Sequence, residues 1–538
     1  MVSSAEIAQK TKLQPIIKIA AGLGIRKDEL LLFGNYIAKI DLEILKRIKN
    51  RKRGKLILVT AITPTTFGEG KTTTAIGLSM AFNKFGRSSV CCIRQASLGP
   101  VFGIKGGATG SGYSQILPAD TLNLHFTGDI HAVGSAHNLC AAYLYNSLWR
   151  GNRLNIDQKK VYWRRVLDTS DRFLRNIKTG LGSEHDGLPA DSGFDITVAS
   201  EIMAILALSK NYADMRKRLS KIYLADTLSR KPITAKDLKV NGAMAVLLKD
   251  ALKPNLVQTI EATPCFVHTG PFGNIAHGSS SVLADEIALH LSDFVVTETG
   301  FGADLGAEKF FNIKCRYSRT KPDCAVMVVS LRALKVQGLE NLRKQIENVL
   351  IFGIPVVVAI NRFNGDTIKE INRVIEKAKE FGASDCVVSR VWQKGSRGGL
   401  GLARAVIKAA KNKTKFKFLY SPDSPLKEKI RTIAAKIYGA GSVQYSPRAE
   451  EKIRVYSQNG WDKLPICMAK THLSISADKH LKGAPKGFIL AVRDIRACLG
   501  AGFILALCGA IQTMPGLPSE PRGEKMDIDD KGNIRGLL

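Results

Sequence analysis

The chain has 538 residues, 45% hydrophobic and 23% charged, room for about three or four domains of roughly 150 residues and for a core that needs no disulfide or structural metal. Lys plus Arg total 79 against 47 Asp plus Glu, a net charge of +32, which bears on anionic partners and not on fold. The ten cysteines are scattered without CxxC or zinc spacing, the N-terminus lacks an apolar signal core, and the longest apolar stretch (501–511) is about half a membrane span, so a reduced, soluble, cytoplasmic chain is expected.

Ser3 and Glu6 have the spacing of a helix capping box. Two helical segments lead to Lys55–Ala61, an apolar run of the kind buried in parallel sheets. A glycine-containing turn, a helix from about Lys71 to Phe85 and a strand at Ser89–Ile93 complete a βαβ unit. The stretch from Ser97 to Gly112 is too glycine-dense for regular structure. Later strands at 324–329, 355–360 and 386–391 alternate with helices at 339–352 and 367–381. Such alternation predicts an α/β fold with a parallel sheet covered on both faces. The expected layout is a P-loop-type nucleotide domain over 1–320, a second α/β domain over 321–415 and a smaller C-terminal domain over 416–538. Basic runs at Lys46–Lys55, Arg216–Arg218 and Lys408–Lys417 read as solvated surface. No RNP-type strand or helix-turn-helix accompanies them, so no specific nucleic-acid partner is expected.

The sharpest chemical signal is Thr65–Thr74, TTFGEGKTTT, between strand and helix. Gly68 and Gly70 let backbone N–H groups turn toward phosphate oxygens while the helix adds its positive N-terminus. ATP binding is accordingly assigned to Thr65, Thr66, Phe67, Gly68, Glu69, Gly70, Lys71, Thr72 and Thr73. Lys71 reaches the β- and γ-phosphates, and the Thr72 hydroxyl ligates the magnesium of Mg–ATP. The strict G-x-x-x-x-G-K-[ST] pattern fails, because Thr65 stands where its first glycine belongs. Arg94 follows the second strand directly, at the sheet end where open α/β folds bind ligands, and its planar fork suits phosphate or carboxylate. Asn123–His131 packs His125, Asp129 and His131 into nine residues. Hydrogen bonding in a phosphate site and metal ligation are both open to such a cluster, which lacks a third spaced ligand.

LVTAITPTTFGEGKTTT, SLGPVFGIKGG, NLHFTGDIHAVG, GFDITVASEIMAIL, LLKDALKPNLVQT, GPFGNIAHG, GFGADLGAEKFFNIKCR, PVVVAINRF, VWQKG and TMPGLP occur in this order. Together they resemble the formate–tetrahydrofolate ligase family over nearly the whole chain. The resemblance implies an ATP-dependent ligation through formyl phosphate, with formate and tetrahydrofolate as co-substrates and a homotetrameric assembly. It assigns catalysis to Lys71, Arg94, Asp129, His125 and His131. It places Gln95, Phe363 and Trp392 at the folate, the two rings stacking on the pterin, although a lone Phe or Trp by itself reads as core packing. It also implies a monovalent cation, K+ or NH4+.

The sequence departs from the family pattern at several points. Gln95–Ala96 replaces a common Glu-Pro near that cation, and Thr66 a common Pro. A loop of about twenty residues is mostly missing between Lys335 and Leu339. The usual KTQYS reads KTHLS at Lys470–Ser474, and Ala510 takes the place of an Asp. Two rivals remain: a nucleic-acid-binding protein on a P-loop scaffold, suggested by the charge, and another P-loop ligase or partitioning ATPase.

Overall fold

The computed structural model describes residues 2–65, 68–105 and 107–537. A mixed, mainly parallel sheet of twelve strands dominates it. In chain order these are β1 (Leu30–Phe33), β2 (Ile37–Ile40), β3 (Lys55–Ala61), β4 (Ser89–Ile93), β5 (Gly110–Ser111), β6 (Ser114–Leu117), β7 (Asn255–Thr259), β8 (Pro264–Val267), β9 (Phe294–Glu298), β10 (Cys324–Val329), β11 (Val356–Asn361) and β12 (Asp385–Ser389). The spatial order is β1-β2-β7-β8-β4-β9-β3-β10-β11-β12, with the β5–β6 hairpin attached to β7. From β8 to β12 every pairing is parallel, whereas β1, β2 and β7 pair antiparallel at the other edge. Leu56, Ile57, Leu58 and Val59 of β3 are at most 1% exposed, each such burial being worth about 1.5–3 kcal/mol. Burial on both faces removes the in–out alternation from these strands, which is why they read as continuous apolar runs.

The strands expected at 55–61, 89–93 and 324–329 form at those bounds, and the Ser3–Glu6 capping box closes as expected. The sheet runs on across residue 320, β10 pairing directly with β3. Two readings need correction. Val391 opens a helix instead of ending a strand. The glycine-rich stretch holds a short helix, Leu98–Phe102, and the β5–β6 hairpin.

Helix α1 (Lys71–Lys84) follows β3, α2 (Asp129–Trp149) follows the hairpin, α3 (Leu331–Leu350) follows β10 and α4 (Val391–Ala409) follows β12. Helices α1 and α4 pack face to face through glycines. A Cβ on Gly77 would lie 2.4 Å from Val391 Cβ, and one on Gly399 3.1 Å from Ala81 Cβ. Helix α3 bends at Gly338, whose φ of +73° suits glycine.

The C-terminal part carries a second sheet of β13 (Ser442–Tyr445), β14 (Ile466–Ala469), β15 (Ile489–Cys498) and β16 (Phe503–Cys508), ordered β13-β15-β16-β14. It is tied back by Glu201, which accepts from Gly500 N (2.7 Å) and Ala501 N (3.0 Å), and by the buried pair Lys470–Asp304 at 2.7 Å. Among the described residues, no helix is long and apolar enough to cross a membrane.

Candidate active site

Parallel pairing brings the carboxyl ends of β3, β4, β9, β10, β11 and β12 to one edge of the sheet, the ligand edge of open α/β folds. Between β3 and α1, Gly68 and Gly70 both have φ +74°, and Gly70 is the left-handed residue from which α1 starts. A Cβ there would come 2.5 Å from Asn361 Nδ2, which donates to the Glu69 carbonyl at 3.2 Å. Glu69 is 2% exposed and braces the loop from inside. Its Oε1 accepts from Thr65 N (3.0 Å) and Oγ1 (2.9 Å), and its Oε2 from Ser330 Oγ (2.7 Å). Thr66 and Phe67, assigned to ATP, lie outside the described residues.

Lys71 and Thr72 open α1. The Thr72 hydroxyl donates to Glu298 Oε2 at 2.7 Å, and Thr73 Oγ1 lies 3.0 Å from Ser111 Oγ. Glu298, the last residue of β9, is 5% exposed and is a site residue the sequence reading missed. Its signal was present: a lone acid at the carboxyl end of the apolar run FVVTE, where parallel sheets carry function. Burial lowers the Lys71 ammonium, with Glu298 and then Glu69 opposing, and Arg94 is lowered by burial with Glu298 opposing.

Lys105 joins this cluster. Part of its side chain is open to solvent, but its ammonium is brought down to about 8, first by loss of water around it and then by Arg94 and Lys71, with Glu298 opposing. Lys71, Arg94 and Lys105 all feel the Glu298 charge, a cationic surround that suits a polyanion. Arg94 Nη1 donates to the Pro271 carbonyl (3.1 Å), and a Cβ on Gly300 would lie 3.2 Å from its Nη2, so glycine permits that approach.

The remaining expected residues are spread along this edge. Gln95 is held by its backbone N–H to Thr269 O at 2.8 Å, while its buried Oε1 has no hydrogen-bond partner among the described residues. Asp129, 4% exposed at the start of α2, ion-pairs with Lys39 Nζ (2.7 Å) and accepts from Asn255 Nδ2 (2.8 Å). Burial pushes its carboxyl up, and Lys39 opposes this. His131 is exposed, with Nε2 3.4 Å from Ser135 Oγ. His125 is exposed beside Asp168, whose carboxylate accepts from Ser97 Oγ (2.6 Å) and Leu98 N (2.9 Å) and so fixes the segment after Arg94.

Phe363, after β11, is half-buried with the Arg332 guanidinium 3.6 Å over one ring face. Trp392, also half-buried, accepts from Tyr113 N through its carbonyl (2.8 Å), and its indole lies against Gly112, where a Cβ would come within 2.9 Å of the ring. Gln393 Nε2 donates to Asn364 Oδ1 at 3.3 Å, joining the two aromatic loops. Among the described residues, no group of three or more His, Cys, Asp or Glu is arranged to hold a metal.

A family model described as formate–tetrahydrofolate ligase matches residues 2–538. Proteins named formate–tetrahydrofolate ligase from Roseiflexus castenholzii and Desulforamulus reducens are 52% and 50% identical over 563 and 562 aligned residues. Those alignments cover all of this chain and 100% and 99% of the relatives. The aligned lengths exceed 538, so both relatives carry stretches this chain lacks. With its whole length matched and its phosphate loop, cation cluster and aromatic loops on one sheet edge, the chain belongs to the formate–tetrahydrofolate ligase family.

Proposed function

We infer that this chain joins formate to tetrahydrofolate at the expense of ATP, releasing 10-formyltetrahydrofolate, ADP and phosphate. The observation that carries the reading is the Thr72–Glu298 hydrogen bond at the start of the helix that Lys71 opens, with Arg94 following β4 on the same sheet edge, in a chain matched to this family from end to end.

A formate oxygen attacks the γ-phosphorus as the bond to the β-phosphate oxygen breaks, giving formyl phosphate and ADP. N10 of the folate then attacks the formyl carbon, the carbon–oxygen bond to phosphate breaks, and the amine proton leaves to a base. An anion attacking an anion gains most from alignment and charge neutralisation. Lys71 and Lys105 neutralise the transferring group, and Arg94 holds the oxygens of formyl phosphate in its fork. The Thr72 hydroxyl and Glu298 carboxylate form a hard-oxygen set that fits magnesium. Bound with ATP, that ion would screen phosphate charge.

Asp129 has both oxygens engaged and orders the wall between β2 and β7, which leaves solvent-facing His125 and His131 as the free bases on that side. The Phe363 face opposite Arg332 and the indole of Trp392 grip the pterin. Gln95 offers its unpartnered Oε1 as a neutral acceptor for K+ or NH4+, a weaker ligand than a carboxylate. We read the phosphate loop as a P-loop variant and the working enzyme as a cytoplasmic homotetramer, in line with the family.

Purified protein should release ADP only when formate and tetrahydrofolate are both present. ATP turnover indifferent to formate would favour another P-loop enzyme. Absence of turnover together with salt-sensitive nucleic-acid binding would favour the rival binding protein.

A further inference from the structure

One side chain just beyond the C-terminal sheet stacks on the loop beside Arg94. His472 follows β14, and its ring stacks on Phe301 with centroids 4.4 Å apart and planes at 25°. Phe301 has φ +61°, a conformation a bulky residue keeps only when its surroundings hold it. Its neighbours explain the hold. Gly300 lies against the Arg94 guanidinium, and a Cβ on Gly273 would come 3.1 Å from Phe301 Cδ2.

Three residues on, Asp304 begins to anchor both partners. Its Oδ2 takes Lys470 Nζ at 2.7 Å and its Oδ1 takes Gln345 Nε2 at 2.7 Å. Lys470 also donates to Ser474 O at 2.6 Å, so the hairpin carrying His472 is closed by the same ammonium. A single buried ion pair therefore pins the loops on both sides of the stack. The π-helical turn Ala303–Ala307 that holds Asp304 belongs to a class often found at functional sites.

The charges acting on the imidazole are Lys105, Lys470, Lys71 and, in opposition, Asp304. Burial, followed by these lysines, brings it down to about 4, so at neutral pH it carries one N–H donor and no charge.

We propose that His472 is a nucleotide-phosphate ligand supplied by the C-terminal part of the chain, its imidazole held flat on Phe301 and donating a hydrogen bond to the phosphate chain between Lys71 and Lys105. A donor set in a dehydrated, preorganised wall gains more from an anion than the same donor in water. The assignment rests on the reading of Lys71 as the phosphate lysine.

Two variants separate donor from ring. His472→Phe keeps the flat stack and loses the N–H, whereas His472→Gln keeps an N–H and loses the ring. His472→Phe should raise the KM for ATP about tenfold, as expected for a lost hydrogen bond to a charged group, and leave kcat and the KM for tetrahydrofolate within about twofold. His472→Gln should return the KM for ATP to near the wild-type value. An unchanged KM for ATP in His472→Phe overturns the proposal, as does a His472→Gln as impaired as His472→Phe, since packing alone would then be at work. Calorimetric titration of Lys71→Ala with ADP serves as the control. Weakened ADP binding there with unaffected His472 variants sinks only the His472 assignment. Unweakened ADP binding in Lys71→Ala sinks the phosphate-site reading along with it.

Discussion

Glu298 shows how one carboxylate organises a cationic site. It takes the Thr72 hydroxyl at 2.7 Å and opposes the lowering of Lys71, Arg94 and Lys105. Removing its charge while keeping its shape, as in Glu298→Gln, should lower kcat by about 10²–10³, the scale of losing one preorganised group at a developing charge. The KM for tetrahydrofolate should change little, because the aromatic loops lie elsewhere on the edge. A steady-state series in each substrate checks this, and a fall confined to the folate KM would contradict the placement. Trp392→Ala should do the reverse. Loss of a stacking face worth about 0.5–1.5 kcal/mol beyond area burial should raise the KM for tetrahydrofolate several-fold while ADP binding holds. A lowered melting midpoint with unaltered folate binding would make the ring core packing.

At the scale of elements, the helix that follows the glycine loop and the helix that carries Trp392 are joined by the contact between α1 and α4. Lys71 and Thr72 begin one helix, Val391 and Trp392 the other, and Gly77 lets them meet. Gly77→Ala places a methyl 2.4 Å from Val391 Cβ. The helices must part, at an overpacking cost of about 1–3 kcal/mol. Because Val391 adjoins Trp392, the variant should lose stability and folate affinity together, seen as a lower denaturation midpoint and a raised KM for tetrahydrofolate. Full folate affinity in a destabilised Gly77→Ala would show the indole to be placed independently of α1. Gly338 plays a different part: with φ +73° it lets α3 bend ahead of Gln345, which binds Thr63 and Asp304.

Across the whole molecule, the C-terminal sheet is seated by groups whose protonation matters. Glu201, receiving Gly500 and Ala501, is raised from 4.5 to about 7 by burial, against the pull of those two N–H groups. The folded state thus holds its proton more firmly than the unfolded one. Stability from this group is full below about 4.5 and is lost as pH rises through about 7. His137 and His268, pushed down to about 4 and about 3 by burial, act with the opposite sign, full above 6.5 and lost on acidification. Glu201→Gln keeps an acceptor and removes only the first contribution. Raising pH from 5 to 8 should therefore cost the wild type a few degrees more in thermal midpoint than the variant. Parallel midpoints for the two proteins would rule Glu201 out as the titrating group.

The apolar runs of β3, β4 and β10, the capping box at Ser3 and the helix that starts at Lys71 were legible because each is written in contiguous residues. Strand burial, helix capping and a glycine turn are local matters, and the family strings carried the rest of the chemistry. Only the tertiary structure joined β10 to β3 across the expected boundary at 320, since strand order depends on pairing between segments some 265 residues apart and leaves no local trace. It also decided that Glu298 meets Thr72 across 226 positions of chain, that both Asp129 oxygens are already taken, and that His472 stacks on Phe301 from far along the sequence. Residue type announces what a side chain can do, but which partner it meets is fixed by packing of the whole core, where hydrophobic burial selects the arrangement and the polar contacts follow.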